Sequence, residues 1–263
     1  MFINDVVNCV DLLKFILFAD DINLFHHSRD LSQLQIDCNK KLSRLSEWFR
    51  ANKLSLNVLK TNFILFGSKP IPTNNNNFQL ILDGNVIERV TVNKFLGVFL
   101  DEKLKWTQHL NHISNKISKG LGIIGRVRNI MPNDVLLTLY YSLIYPYLTY
   151  CCIVWGGASN TALHHLSVLQ NRAIRLITRS PFRTSATPLF VLLKLLKVTD
   201  ISRLQILLFM YKCKNKQVPV NCLNLCPLNL NHPYNMRSTN HFILFPFRTS
   251  IRGQCISTMG PRS

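Results

Sequence analysis

The sequence predicts an α+β fold, with a strand-rich first half holding one helix and an all-helical, strongly basic second half. Three observations carry this. Short β-prone runs separated by turn residues crowd the first hundred positions. Past Trp106, apolar residues recur at intervals of three and four instead. Charge divides at the same place: residues 1–102 hold 11 basic and 11 acidic side chains, and residues 103–263 hold 20 basic and two acidic ones, Asp134 and Asp200.

Taken in order, Leu12–Phe18 and Ile22–His26 are β-prone runs around Ala19-Asp20-Asp21, a hairpin with two carboxylates at its tip. Leu31, Leu34, Cys38, Leu42, Leu45 and Trp48 mark an amphipathic helix, capped by Asp30 and running to about Ala51. Lys60–Phe66 reads as a strand ended by Gly67, and Pro70–Asn77 as a polar, Asn-rich loop. Phe78–Leu82 and Val86–Val92 flank Asp83-Gly84 as a hairpin with a two-residue turn, and Phe95–Leu100 is a further strand. A basic amphipathic helix follows from His109 to Val127. Pro132, tolerated in a first helical turn, opens another helix through about Tyr145. Helices are predicted at about 160–178, 187–197 and 199–215. From Lys216 on, Pro and Asn dominate and a poorly ordered segment is expected. No internal repeat is present. The domain organisation expected is 1–105, 106–215 and 216–263.

Composition narrows the class. Hydrophobic residues make up 47% of the 263 positions, which excludes a disordered chain. Eight cysteines at irregular spacings do not form a disulfide framework, so a reducing compartment is expected. A net charge of +18 confined to one half points to a polyanion partner, with a generic basic protein of ribosomal type as the plainer account. Val135–Trp155 carries no formal charge over 21 residues, long enough to cross a bilayer. Pro146 and five tyrosines interrupt its apolar character, which favours a buried helix pair broken at Pro146 over a membrane span.

Adjacent aspartates repel unless a cation lies between them. Mg²⁺ accepts one or two carboxylates together with substrate phosphate oxygens, and a pair of such ions can promote nucleotidyl transfer. Phe18-Ala19-Asp20-Asp21 on a hairpin, followed by an amphipathic helix, resembles the metal-binding motif of reverse transcriptases. The order of further motifs resembles the LINE-type, non-LTR retrotransposon polymerases, notably the jockey-like group. Lys14–Phe25 is similar to their catalytic strand pair. Trp48, Leu54–Asn57 and Lys60-Thr61 through Phe66 resemble the next motif. Phe95–Val98, Asp101, Leu104 and Trp106 resemble their primer-grip hairpin and its exit, and the helices from His109, then Tyr234–Ser238, resemble their thumb and C-terminal segment.

The resemblance implies the second part of a polymerase palm followed by a helical thumb. It implies that Asp20 and Asp21 bind Mg²⁺ or Mn²⁺, and that Phe18 packs beneath the primer end. Lys60 takes the position of a basic group near the triphosphate and a proton donor to pyrophosphate; an exposed lysine at a strand start accounts for it equally. Leu96 and Gly97 fall at the primer grip, with a β-bulge as the structural alternative for Gly97. RNA template, DNA primer and dNTPs are the implied partners, with no membrane, and an intracellular location in nucleus and cytoplasm within an element ribonucleoprotein. The family's fingers, the palm strand with another metal-binding Asp and the nucleotide-pocket segment have no counterpart in this sequence. The chain is therefore expected to be a part of such an enzyme and inactive alone. A non-catalytic nucleic-acid-binding relic and a basic membrane protein spanning 135–155 are the rival readings.

Two constellations carry less. Cys213, Cys222, Cys226 and His232 have zinc-like composition at spacings that fit no common finger. The pairs His26-His27, His109/His112 and His164-His165 read as surface or core histidines. In the basic half, Arg126, Arg128 and Arg183 accompany Arg172, Arg175 and Arg179, whose spacing of i, i+3, i+7 predicts one face of a single helix. An ordinary solvated face is the alternative. With so few carboxylates nearby, contact with nucleic-acid phosphates is the expectation.

Overall fold

The computed structural model describes residues 4–10, 13–67, 78–229, 241–243, 246, 253 and 255–260. It mixes helices with small two-stranded sheets, as an α+β class requires. The chain forms two compact units, residues 1–93 and 94–263.

In the first unit, β1 (Lys14–Phe18) and β2 (Asp21–Phe25) pair antiparallel with Phe18 opposite Asp21. Helix α1 (Leu31–Ala51) starts where the Asp30 carboxylate accepts the Gln33 N–H at 2.8 Å, the cap expected from the sequence. Its buried residues Leu42, Leu45 and Phe49 share a core with Leu65, Phe78, Leu80, Leu82 and Ile87. The Asn39 side chain donates to the Gln79 carbonyl and accepts from the Ile81 N–H, which fastens α1 to an exposed strand backbone. β4 (Ile81–Leu82) and β5 (Asn85–Val86) join through Asp83 and Gly84, both at positive φ, the two-residue turn read from the sequence. The Asp83 carboxylate accepts from Ser46 Oγ at 2.8 Å and pairs with Arg50; these contacts hold its pKa below the ordinary value.

The predicted strand Lys60–Phe66 is not continuous. Val58–Lys60 forms a 3₁₀ turn opened by the Asn57 side chain, and only Asn62–Phe63 (β3) is strand, pairing parallel with Glu88–Arg89 (β6). Asn57 offers the backbone a local partner that competes with a ladder. The Pro70–Asn77 loop lies outside the described residues.

β7 (Val92–Phe95) leads from the first unit into the second and pairs with β8 (Val98–Asp101). The strand predicted over Phe95–Leu100 is thus broken by a turn at Leu96-Gly97, both at positive φ. Helices α2 (Thr107–Val127), α3 (Asn133–Leu143), α4 (Tyr145–Thr149), α5 (Cys152–Trp155), α6 (Asn160–Ile177), α7 (Ala186–Leu192) and α8 (Val198–Lys214) build one core around Ile117, Ile124, Leu136, Tyr140, Leu148, Trp155, Leu166 and Ile174. Gly120 lets α2 pass close to α3: a Cβ there would sit 3.2 Å from the Leu143 Cβ. The uncharged run 135–155 is helical and buries one face, Leu136, Tyr140, Ile144, Leu148, Cys152 and Trp155, while Tyr141, Tyr150 and Val154 stay exposed; the expected helix pair is in fact three pieces. Ile144 leaves helical geometry one residue before Tyr145, and Cys151 is left-handed at φ 51°. Among the described residues no helix is long and apolar enough to cross a membrane.

Gln170, 1% exposed, organises the centre of this core. Its Nε2 donates to Tyr140 Oη and to the Leu196 carbonyl, and its Oε1 accepts the first amide of α8, Val198 N–H, at 2.8 Å. Burial pushes the Tyr140 phenol up to about 12. The predicted poorly ordered segment contains, among its described residues, α9 (Val220–Leu223), β9 (Leu228–Asn229) paired with β10 (His241–Phe242), and α10 (Ile256–Met259).

Candidate functional site

Alternation along β1 turns Phe15 and Leu17, with Ile22 and Leu24 of β2, toward the first unit's core. Lys14, Ile16 and Phe18 face outward, and Phe18 is 59% exposed. The connection is a two-residue turn with Ala19 at φ 52°. It places Asp20 at the tip and Asp21 as the first residue of β2, opposite Phe18, with both carboxylates exposed. An exposed aromatic side chain and two exposed carboxylates are therefore gathered at one turn.

Hard oxygen donors of this kind suit Mg²⁺ or Mn²⁺ and leave coordination positions for water or phosphate. Among the described residues there is no group of three or more His, Cys, Asp or Glu side chains able to hold a metal ion. Cys213, Cys222 and Cys226 do not form one; burial raises the Cys213 thiol and pushes Cys226 up to about 11. His232 lies outside the described residues.

Lys60 ends the 3₁₀ turn in the same unit, exposed, with no hydrogen bond or ion pair to Asp20 or Asp21. Asn57 positions it: its Oδ1 accepts the Lys60 N–H at 3.2 Å.

In the second unit, the Leu96-Gly97 turn packs on Tyr150. The Tyr150 hydroxyl donates to the Leu96 carbonyl at 2.6 Å, and a Cβ on Gly97 would lie 3.3 Å from the Tyr150 ring. Glycine is needed here for its positive φ and for that approach. The residue is part of a turn, not a β-bulge. Asp101 controls the exit, its carboxylate accepting the N–H groups of Lys103, Lys105 and Trp106 at 3.1, 3.0 and 2.9 Å. These bonds hold Leu104 and Trp106 left-handed before α2 begins. His109, buried in the first turn of α2, accepts the Phe99 N–H at Nδ1, and its ring lies 5.8 Å from that of Trp155 at a tilt of 59°. Burial foremost, then the charge of His112, lowers its pKa to about 4.

The arginine stripe requires correction. α6 ends at Ile177, so Arg172 and Arg175 are helical while Arg179 lies beyond the helix at φ 52°. Arg179 donates to the carbonyls of Arg128 (2.9 Å) and Met131 (2.8 Å), where the chain leaves α2. Arg175 donates to the Thr184 carbonyl at 2.8 Å and faces the Phe182 ring at 5.8 Å. Arg172 and Arg126 are exposed, and neither makes a hydrogen bond or ion pair among the described residues. Tyr150 and Asp101 have structural roles the sequence did not disclose. Tyr150 acts on a residue 54 positions away, whereas Asp101 acts within five, in a run, Asp-Glu-Lys-Leu-Lys-Trp, whose composition does not mark a turn.

Known proteins similar to this chain are RNA-directed DNA polymerases of mobile elements. The chain is 27% identical over 190 residues to the "Probable RNA-directed DNA polymerase from transposon X-element" of Drosophila melanogaster, covering 70% of this chain. It is 27% identical over 181 residues to the polymerase of the same description from transposon BS in that fly, covering 65% of this chain. It is 24% identical over 189 residues, 70% of this chain, to the RNA-directed DNA polymerase from mobile element jockey of Drosophila funebris. The resemblance to jockey-like retrotransposon polymerases carried by the motifs is thus matched by similarity along most of the chain. The matches span about a fifth of the length of those relatives. No protein-family model and no solved structure matches the chain.

Proposed function

We propose that these residues supply the metal-holding hairpin and the thumb of an RNA-directed DNA polymerase of jockey-like type. The observation that carries the reading is the β1–β2 turn, which puts Asp20, Asp21 and the exposed Phe18 on one tip within a chain similar to such polymerases. Asp20 and Asp21 hold Mg²⁺, which, when bound, lowers the cost of generating a 3′-oxyanion and of releasing pyrophosphate. Phe18 offers an apolar surface to the terminal primer base. The Leu96-Gly97 turn brings backbone close to the primer strand while Tyr150 keeps it from shifting. Lys60 faces the phosphates of the incoming nucleotide. The cations of the second unit neutralise template and primer phosphates without reading sequence. These roles belong in an intracellular complex with the element's own RNA.

A second reading, nucleic-acid binding without catalysis, draws on the two-carboxylate hairpin: among the described residues no third ligand stands beside it. Consistent with both readings, the chain by itself is expected not to extend oligo-dT on poly-A with Mg²⁺. The decisive test grafts the part of this chain that carries Asp20, Asp21, Lys60 and the Leu96-Gly97 turn, with the helices that follow, into the X-element polymerase in place of its counterpart. Primer extension that Asp20→Asn abolishes, with hybrid binding unchanged, supports the catalytic reading. Extension that survives Asp20→Asn, or a chimera that binds hybrid and never extends, rejects it.

A further inference from the structure

Helix α8 is apolar on two opposite faces. Val198, Ile201, Ile206, Met210 and Cys213 are buried, and the helix packs on α4, α5 and α6. The opposite side carries Leu204 (40% exposed), Leu207 (47%), Leu208 (42%) and Tyr211 (62%). These stand at i, i+3, i+4 and i+7, the spacing of a continuous helical stripe. A surface helix ordinarily carries one apolar face, turned to the core, and a polar one opposite. Singly exposed leucines are ordinary, but four large apolar side chains in register form a patch of the kind that marks an interaction site.

The surroundings define what fits. At 100° per residue, Arg203 and Lys214 border one edge of the stripe and Lys212 the other, all exposed. Asp200, half-buried in the first turn, is the helix's single carboxylate and by the same spacing stands at the N-terminal end of the stripe, one turn before Leu204, so the cationic borders govern its Leu204–Tyr211 part. A second copy of this chain would set cations against cations along both edges. Nucleic acid would meet the lysines but gain little from leucines. We propose that this face docks an amphipathic helix of another protein, with leucine-type anchors along its apolar seam and glutamates or aspartates along its borders. Four apolar side chains at this spacing form the seam along which a second helix packs, and the cationic borders set polarity and partner choice. The proposal shares with the polymerase reading only the cationic charge of Arg203, Lys212 and Lys214, which belong to the second unit, and its leucine stripe has no part in that reading.

The probe is a fluorescein-labelled helical peptide of about 20 residues, with leucines at a and d positions and glutamates at e and g. A partner peptide carries lysine for each glutamate. The full-length chain should bind the glutamate peptide in the micromolar range, more weakly as salt rises, and at least about tenfold more tightly than the lysine peptide. Leu204→Ser with Leu208→Ser should weaken binding about tenfold or more at an unchanged unfolding midpoint. Should that pair fail to fold, Arg203→Glu with Lys214→Glu, both on exposed positions, should reverse the preference between the peptides. Equal binding of the two peptides, or unchanged binding by the folded leucine variant, overturns the proposal. So does a dimer, or attachment to phosphatidylserine vesicles, that the leucine substitutions abolish while peptide binding stays weak.

Discussion

Asp101 accepts three consecutive-turn amides with one carboxylate, and two of the residues it spans are left-handed without being glycine. Non-glycine residues in that region carry a cost that persists only where neighbours enforce it. Asp101→Ala should therefore destabilise the second unit by about 2 kcal/mol, and Asp101→Asn, which keeps an acceptor, by about half of that. Urea unfolding followed by the fluorescence of Trp106 and Trp155 measures both. His109 gives a pH signature in the same core. Its folded pKa of about 4 lies below the ordinary 6.5. The unfolded chain thus takes up the proton first as pH falls, and the stability due to the neutral buried ring is complete above pH 6.5 and lost toward pH 4. The wild-type chain should lose up to about 3 kcal/mol across that window. His109→Gln, which keeps an acceptor for the Phe99 N–H, should flatten the acid limb; an unaltered limb would assign the titration elsewhere.

At the scale of elements, what was legible depended on how local the determinant is. The Asp30 cap, the Asp83-Gly84 turn and the 3.6-residue periods of α1, α2, α6 and α8 are written in adjacent residues, and each element stands within a few residues of its predicted bounds. The segment from Lys60 to Phe66 departs from the expected strand because its β-prone composition says nothing of the Asn57 side chain that curls the chain first. The expected arginine stripe does not form because a spacing rule holds only while the helix lasts, and α6 stops two residues before Arg179. That arginine instead ties the end of α6 to the carbonyls that follow α2, as a cation near a helix C-terminus is suited to do. Accordingly, Arg179→Gln should cost about 1–2 kcal/mol of stability and Arg172→Gln less than about 0.5. Equal effects in thermal unfolding would show that the Arg179 contacts contribute nothing.

For the whole molecule, the charge division is the feature that sequence and structure express most directly. All of the +18 excess lies in residues 103–263, and the helical unit's core is apolar, so the cations are left at its surface. The pairing of Asp20 with Asp21 was equally legible, because a two-residue turn needs no distant partner. How a surface so charged meets nucleic acid is a matter of counterions. A protein that neutralises Z phosphates releases their condensed cations, and binding weakens with salt at a log–log slope of about −0.7Z to −0.9Z. Removing Arg175 or Arg179 would confound this measurement, since both also hold backbone carbonyls. Arg126 and Arg172 are exposed and carry no such task. Their joint replacement by glutamine should leave the unfolding midpoint in place and shallow the slope for an RNA–DNA hybrid by about 1.4 to 1.8 units. Preference among hybrid sequences should not change, because phosphate contacts carry no base information. Anisotropy titrations of the full chain at four or so salt concentrations decide it. A double variant with the parent's slope would leave these two arginines as solvated surface and move the phosphate contacts to other cations of the chain.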